Sequence, residues 1–298
     1  MDIGLQGFLP VTENPLKGLV MAEILGFDAF SPKEIADKVA NVGVIKAHLP
    51  ALPTLMLGVL AGGFIGLGAL YYTLVASDTQ LSFGVARVLG GVAFSLGLIL
   101  VVIGGAELFT GNNLLVMAWA DGKITTNEML RNWALVYVAN AFGAIGLAVV
   151  VYFSHHAEMN QGGVGIAYLK IAAAKTALPF WEAFFKGVLC NLLVCLAVWM
   201  ALAGRSVTDK ILMIVFPISA FVAAGFEHSV ANMYFIPLAI FLKGSVAAPS
   251  GLDLASLGWG GFAGNLVPVT LGNIVGGSVM VALVYYLIYR RGLSSPSK

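Results

Sequence analysis

Six long apolar segments dominate the sequence and decide what the chain can fold into. Each is long enough to cross about 30 Å of hydrocarbon as an α-helix. Only 10% of the 298 residues are charged and 59% are hydrophobic, whereas a soluble domain carries about 25% charged residues. The sequence therefore predicts an all-α membrane protein with six transmembrane helices. The segments are Leu49–Val75, Phe83–Trp119, Met129–Ser154, Trp181–Ala203, Ile211–Leu242 and Trp259–Arg290.

The charge and cysteine content exclude several classes of protein. A formal net charge of +1 argues against a role in binding nucleic acid. Cys190 and Cys195 lie five residues apart in one apolar segment, a spacing that predicts buried thiols and neither a disulfide nor a metal site. We expect no cofactor, and membrane lipid as the surrounding medium.

The ends of the chain are predicted to lie outside the membrane. Residues 1–47 form an N-terminal segment without features of a secretory signal, residues 48–290 the six-helix membrane domain, and residues 291–298 a tail. Within the first segment, Phe27–Lys46 has the pattern of an amphipathic helix, with Ser31 as N-cap and Pro32 as its first residue. The distribution of Lys and Arg between the loops predicts that both termini face the cytoplasm.

The two halves of the chain repeat one another. Three patterns recur in the same order, at offsets of 120, 133 and 129 residues. Because one copy holds three spans, an odd number, the second copy must be inverted in the membrane, and such repeats place a substrate site near the midplane. The matched positions are Glu107 and Asn112 with Glu227 and Asn232; Asn132, Asn140 and Gly143 with Asn265, Asn273 and Gly276; and Gly58 with Gly187.

Polar interruptions divide the second and fifth spans. Gly104–Asn113 breaks the second and Gly225–Ser229 breaks the fifth, and irregular backbone at this depth occurs only where protein or water satisfies it. Thr110, Asn112 and Ser229 can cap the half-helices that follow. We expect the two half-helix N-termini to direct free N–H groups toward the centre, which suits an anion.

The interruptions contain carboxyl groups in matched positions. Glu107 and Glu227 could carry protons or bind cations, or they could anchor the broken backbone by accepting hydrogen bonds from its N–H groups. Their equivalent places in the repeat favour the second interpretation, because a path for anions would not be lined with two bare carboxylates.

His228 is the one histidine within a span, and Leu108 stands at its equivalent position. An ionisable group at this depth indicates function, since imidazole can donate a hydrogen bond or supply a positive charge. Lys175, placed in the loop before the fourth span, either attracts anions or is an ordinary solvated lysine. Asn191 either joins helices or lines the path.

Four segments resemble the formate/nitrite transporter family, and most of all its formate channels. They are Phe94–Leu98, Glu107–Thr110, Asn191–Met200 and Gly225–Met233, and the resemblance extends from about Phe27 to Arg290. It implies an aquaporin-like protomer built from two inverted three-helix repeats, with broken second and fifth helices. It further implies a homopentamer in the bacterial inner membrane, conducting formate and similar small anions, whose N-terminal helix blocks the pore at low pH.

The resemblance also implies a role for individual residues. Leu98, Leu108 and Val194 would form the cytoplasmic constriction, with Phe109 and Thr110 in the flexible loop of the second span. Phe94 and Phe221 would narrow the periplasmic side. Thr110 and His228 would face each other in the chamber between, supported by Lys175, Asn191 and Glu227.

Other functions remain open on the residues alone. Nitrite or hydrosulfide would suit the same chamber. A facilitator of neutral solutes of the aquaporin type is disfavoured by the absence of paired Asn-Pro-Ala motifs and by His228. A haem-binding membrane subunit would need two facing histidines, and only one lies in a span; no enzymatic activity is expected.

Overall fold

The structure is a computed structural model and describes residues 29–291. Six helices in this part of the chain are long and apolar enough to cross a membrane, which confirms the predicted number of spans. The sequence-based expectations for residues 1–28 and 292–298 lie outside the described residues. The six helices are Ala51–Ala76, Phe83–Gly104, Thr126–Phe153, Phe180–Ala201, Val207–Ala224 and Trp259–Tyr289.

The helices are numbered in chain order, and short helices complete the second and fifth spans. The sixth span contains a π-helical segment, Val275–Leu283. The elements are α1 (Pro32–Ala47), α2 (Ala51–Ala76), α3 (Phe83–Gly104), α4 (Phe109–Asn112), α5 (Leu115–Ala120), α6 (Thr126–Phe153), α7 (Gly163–Thr176), α8 (Phe180–Ala201), α9 (Val207–Ala224), α10 (Ser229–Leu242), α11 (Trp259–Ile274) and α12 (Val284–Tyr289).

Helix α1 forms where the sequence predicts an amphipathic helix. Ser31 is its N-cap in a reciprocal capping box with Glu34, which satisfies two N–H groups that the first turn would otherwise leave unpaired. The buried face of α1 packs against α5. A Cβ added at Gly43 would lie 2.9 Å from Cβ of Ala118, so the two helices approach closely. Helix α1, which lies before the predicted boundary at residue 47, is therefore packed onto the six-helix domain that follows the boundary.

Arg290, which follows α12, connects α1 to the segment after α5 through ion pairs. Its guanidinium forms ion pairs with Asp37 of α1 and with Asp121, which follows α5. Burial alone would raise the pKa of Asp121, but the hydrogen bond and charge of Arg290, with those of Lys123, outweigh it and lower this pKa below its ordinary value.

In each of the two broken spans the first helix ends at a glycine. Gly105 after α3 has a φ of 78° and Gly225 after α9 a φ of 77°, left-handed values that favour glycine. In both breaks the residue after the glycine donates its N–H to a carbonyl five residues earlier, Val101 or Phe221, which closes the helix end. The breaks are thus built in the same way.

The predicted caps of the half-helices were wrong. Thr110 and Asn112 lie inside α4, and Ser229 is the first residue of α10; the N-cap positions belong to Leu108 and His228. The side chain of His228 itself accepts the N–H of Ala231. An imidazole nitrogen therefore caps this half-helix, where we expected a hydroxyl group.

Matched glycine contacts support the inverted repeat. A Cβ at Gly143 of α6 would collide with the carbonyl oxygen of Val59 in α2, and a Cβ at Gly276 with the carbonyl oxygen of Val188 in α8. Each copy holds a helix outside the spans, α1 or α7, followed by three crossings. The predicted fold of two inverted three-helix repeats is confirmed, and α1 and α7 extend each copy by one helix.

We predict opposite effects of alanine at two glycines of α6. Alanine is normally the better helix former by about 1 kcal/mol, and a Cβ at Gly146 would meet no neighbouring atom within 4 Å. Gly146→Ala should therefore leave the thermal unfolding of the detergent-solubilised protein unchanged or raise its midpoint. Gly143→Ala should lower this midpoint, because the clash should reduce the free energy of unfolding by about 1–3 kcal/mol. Equal midpoints would contradict the close packing of α2 and α6.

Candidate transport pathway

Two cavities enter the protein from opposite ends of the spans. The inner cavity has a volume of about 270 Å³ and is lined by α1, α3 and the first break, including Lys46, Leu98 and Leu108. The outer cavity has a volume of about 430 Å³ and is lined by α3, α7 and the second break, including Phe94 and His228. They share no lining residue, so the two cavities are separate, with a layer of side chains between them.

A hydrogen bond between the two breaks crosses this layer. Oγ1 of Thr110 lies 3.0 Å from Nε2 of His228, and both residues are buried. Because Nδ1 of His228 accepts the N–H of Ala231 at 3.1 Å, the proton of the neutral imidazole belongs on Nε2. His228 therefore donates to Thr110, and the donor stands at the junction of the half-helices.

Apolar side chains surround this hydrogen bond on both sides. Leu98 and Leu108 are each 2% exposed and line the inner cavity, and Val194 of α8 is 1% exposed. On the outer side the rings of Phe94 and Phe221 meet edge to face at 5.7 Å, and the ring of Phe221 stacks on His228 at 6.0 Å.

Phe109 lies differently from the other aromatic residues of the layer. It is the first residue of α4, in a helix and not in a loop as the resemblance implies. Its ring packs edge to face on Trp133 and Tyr137 of α6, at 6.1 Å and 4.9 Å. It lines neither cavity, and its role as a constriction stays a prediction.

The two glutamates occupy equivalent ion pairs. Nζ of Lys46 lies 2.9 Å from Glu107, and Nζ of Lys175 lies 2.7 Å from Glu227. Each carboxylate also accepts a hydrogen bond of 2.7 Å from an asparagine five residues later, Asn112 or Asn232. Asn112 and Asn232 in turn donate to Asn132 and Asn265, whose own amides donate to the carbonyls of Lys46 and Lys175.

These networks differ in one respect from the sequence-based expectation. The carboxylates accept hydrogen bonds from side chains, and asparagines bind the backbone of the breaks instead. Oδ1 of Asn140 accepts the N–H of Phe109, and its amide donates to the carbonyl of Glu107; Asn273 does the same for Ser229 and Glu227. The first N–H of each half-helix is thus bound within the protein and is not free for an anion.

Lys175 lies in the last turn of α7, not in a loop as predicted, because α7 extends to Thr176. Its equivalent, Lys46, was not among the predicted site residues. The signal was present, since Lys46 and Lys175 are separated by the same 129 residues as Gly58 and Gly187. Extending the repeat to the residues before the first span would have identified Lys46 as the equivalent of Lys175.

Asn191 of α8 links the first break to α11. Its amide nitrogen, which has two N–H groups, lies 2.7–3.1 Å from three acceptors: the carbonyl of Thr110, the side-chain oxygen of Asn113 and the carbonyl of Asn273. Its Oδ1, Nδ2 of Asn113 and Oγ of Ser229 are buried without a hydrogen-bond partner among residues 29–291. Buried polar atoms are rarely left unpaired, so the centre of the protein retains capacity to bind a polar solute.

The fold and this site define a multi-pass membrane protein with a polar centre between two opposed cavities. Comparisons with known proteins identify its family. The family model described as formate/nitrite transporter matches residues 33–287. The formate channel FocA of Escherichia coli K12 is 40% identical over 275 residues, covering 89% of this chain and 96% of that protein.

Other relatives and solved structures agree with this match. The probable formate transporter of Methanothermobacter thermautotrophicus is 38% identical, covering 89% of this chain and 99% of that protein. A pentameric formate channel with formate bound is 42% identical, with a TM-score of 0.73, over 80% of this chain and 97% of that one. A second channel structure of the family has a TM-score of 0.75 at 31% identity, over 86% of this chain and 98% of that one. The chain belongs to the formate/nitrite transporter family.

We predict that the inner ion pair stabilises the fold only as a pair. Glu107→Gln leaves Lys46 beside the break without its counter-charge, which should cost up to about 3 kcal/mol. Adding Lys46→Met should recover most of that loss in unfolding experiments. Glu182→Gln provides the matched control, since the Glu182–Lys186 pair is 50% and 33% exposed and such pairs contribute below about 1 kcal/mol. A double variant less stable than Glu107→Gln would contradict this account.

Proposed function

We propose that this protein is a formate channel of the cytoplasmic membrane, with one pathway in each protomer of a homopentamer. The printed names of its relatives support the substrate, and the pentameric formate channel of the same fold supports the assembly. The distribution of Lys and Arg supports a cytoplasmic position for both termini. The channels and transporters of this family support transport without catalysis.

The single observation that carries this proposal is the Thr110–His228 hydrogen bond between the cavities. An anion that leaves water needs donors to replace its hydration. The Nε2–H of His228 and the hydroxyl groups of Thr110 and Ser229 supply such donors where Leu98 and Phe221 exclude bulk water. Formate is a small anion whose two oxygens can each accept such a hydrogen bond.

We infer that His228 acts as a neutral donor until its second nitrogen gains a proton. Protonation of Nδ1 would break the hydrogen bond from the Ala231 N–H, so the charged imidazole would loosen the start of α10. At low pH the charged ring can pass a proton to formate, because desolvation disfavours both charged partners and favours the neutral acid. Formate would then cross a constriction as formic acid, with a proton.

Acid closure by the N-terminal helix is a further part of the proposal. Val39, Val42 and Gly43 of α1 line the inner cavity, so a small movement of α1 would change its entrance. The lowered pKa of Asp121 keeps its pair with Arg290 ionised in mildly acid solution. Closure would therefore occur while Arg290 stays paired with Asp121.

Uptake of isotopically labelled formate into proteoliposomes tests the proposed function. Proteoliposomes with the wild-type protein should take up labelled formate faster than empty vesicles. An excess of unlabelled formate should inhibit this uptake more strongly than an equal excess of nitrite or hydrosulfide. Absence of formate uptake by folded pentamers, or stronger competition by nitrite or hydrosulfide, would contradict the proposal.

His228→Asn and His228→Gln should remove the pH dependence of this uptake. Asn at the N-cap still accepts the N–H of Ala231, Gln extends a donor toward Thr110, and neither titrates. Both variants should carry formate in both directions without proton movement. His155→Asn is the control, because His155 is exposed and has a φ of 58° that asparagine tolerates. Variants at residue 228 that keep wild-type proton co-movement would show that His228 is only a fixed donor.

A further inference from the structure

Among residues 29–291, the outer cavity contains one cation without a carboxylate partner. Arg87, Lys175 and Lys186 line it, and two of them are neutralised: Lys175 by Glu227 and Lys186 by Glu182, each at 2.7 Å. The only hydrogen bonds of Arg87 within residues 29–291 go to two carbonyls and a hydroxyl group. Arg87 therefore gives the outer cavity a net positive charge.

Arg87 also changes the electrostatics of the helix end beside it. Its Nε donates to the carbonyl of Ala223 at 2.8 Å and its Nη2 to that of Val222 at 3.0 Å, both in the last turn of α9. The C-terminus of a helix carries about half a negative charge, which would repel an anion from this cavity. The guanidinium cancels that charge at the place where an anion enters.

The guanidinium retains unused donors. It has five N–H groups, of which two bind the carbonyls of α9 and one lies 3.5 Å, through Nη1, from the hydroxyl of Tyr72. One N–H on each terminal nitrogen is left without a partner in the described part of the chain. A pair of N–H groups on Nη1 and Nη2 matches the two oxygens of a carboxylate.

In the described part of the chain, the inner cavity has no equivalent of this arrangement. At the offset of 120 residues that relates the breaks, the position of Arg87 is occupied by Val207. The charged groups lining the inner cavity, Lys46 and Glu107, form a pair. No side chain of residues 29–291 donates to the carbonyls of Val102 and Ile103, which correspond to those that Arg87 caps. The two mouths of an otherwise repeated structure therefore differ in charge.

We propose that Arg87 is an anion-binding residue of the outer cavity, which holds a small carboxylate there before it reaches Thr110 and His228. This inference rests on the proposed function and adds to it an entry site on one side only. Lys175 and Glu227 stand beside the bound ion as a neutral pair, so the attraction comes from Arg87. Binding is strongest at low ionic strength, where screening is weakest.

The test compares formate uptake by wild type, Arg87→Gln, Arg87→Lys and Lys170→Gln in outward-facing proteoliposomes between about 0.02 M and 0.3 M ionic strength. Arg87→Gln should raise the KM for external formate at least about threefold at low salt, with Vmax within a factor of two, and should abolish the salt dependence of KM. Arg87→Lys keeps the charge and loses the paired donors, so it should keep the salt dependence with an intermediate KM. Lys170 is exposed on α7 and does not line the cavity, so Lys170→Gln should match wild type.

Each outcome decides the matter. Wild type without formate flux would overturn the proposed function, and the inference with it. Wild-type flux with an unchanged KM in Arg87→Gln, or a lowered Vmax alone, would show that Arg87 only caps α9. If Arg87→Gln fails to assemble, Arg87→Lys decides, since lysine can still donate to the α9 carbonyls; a wild-type KM in that variant would overturn the inference.

Discussion

Backbone that leaves the helix inside a membrane must find its hydrogen bonds within the protein, because hydrocarbon offers none. Here that requirement is met by two asparagines. Asn140 and Asn273 each accept the first N–H of a half-helix and donate to the carbonyl of the glutamate before it. Every other feature of the pathway depends on the breaks at Gly105 and Gly225, since they bring Thr110 and His228 to one place.

Equivalent positions in the two repeats maintain the structure, and the positions that differ give the pathway its chemistry. Lys46 and Lys175 form equivalent ion pairs, each with the glutamate of its own repeat. Gly143 and Gly276 make equivalent close contacts, each with the backbone of a neighbouring helix. By contrast, Leu108 is replaced by His228, Gly62 by Asn191 and Arg87 by Val207. The first difference supplies the central donor. The second supplies the amide that links the first break to α11, and the third supplies the charge at one mouth. A symmetric frame of this kind can thus hold an asymmetric path.

The spans, the inverted repeat and the breaks were predictable because they depend on periodicity and on local chemistry. Long apolar segments fix the number of crossings, and glycine followed by polar residues marks the breaks. The partners of individual side chains were harder to predict. The sequence indicated that Glu107 and Glu227 are anchors, but their contacts with Lys46, Lys175 and the asparagines depend on how distant helices pack. The N-cap role of His228 was missed because its ring nitrogen acts where a hydroxyl or carboxyl group is usual.

The proposed pathway depends most on Thr110 and His228 acting as one site. A double-mutant cycle tests this directly, with formate flux measured for wild type, Thr110→Ala, His228→Ala and the double variant, after each is shown to assemble. A hydrogen bond shared between the two side chains predicts that the second substitution adds little to the first, with a coupling of about 1 kcal/mol or more, or at least about fivefold in flux. Effects that multiply independently would contradict a shared site at the junction of the two broken helices.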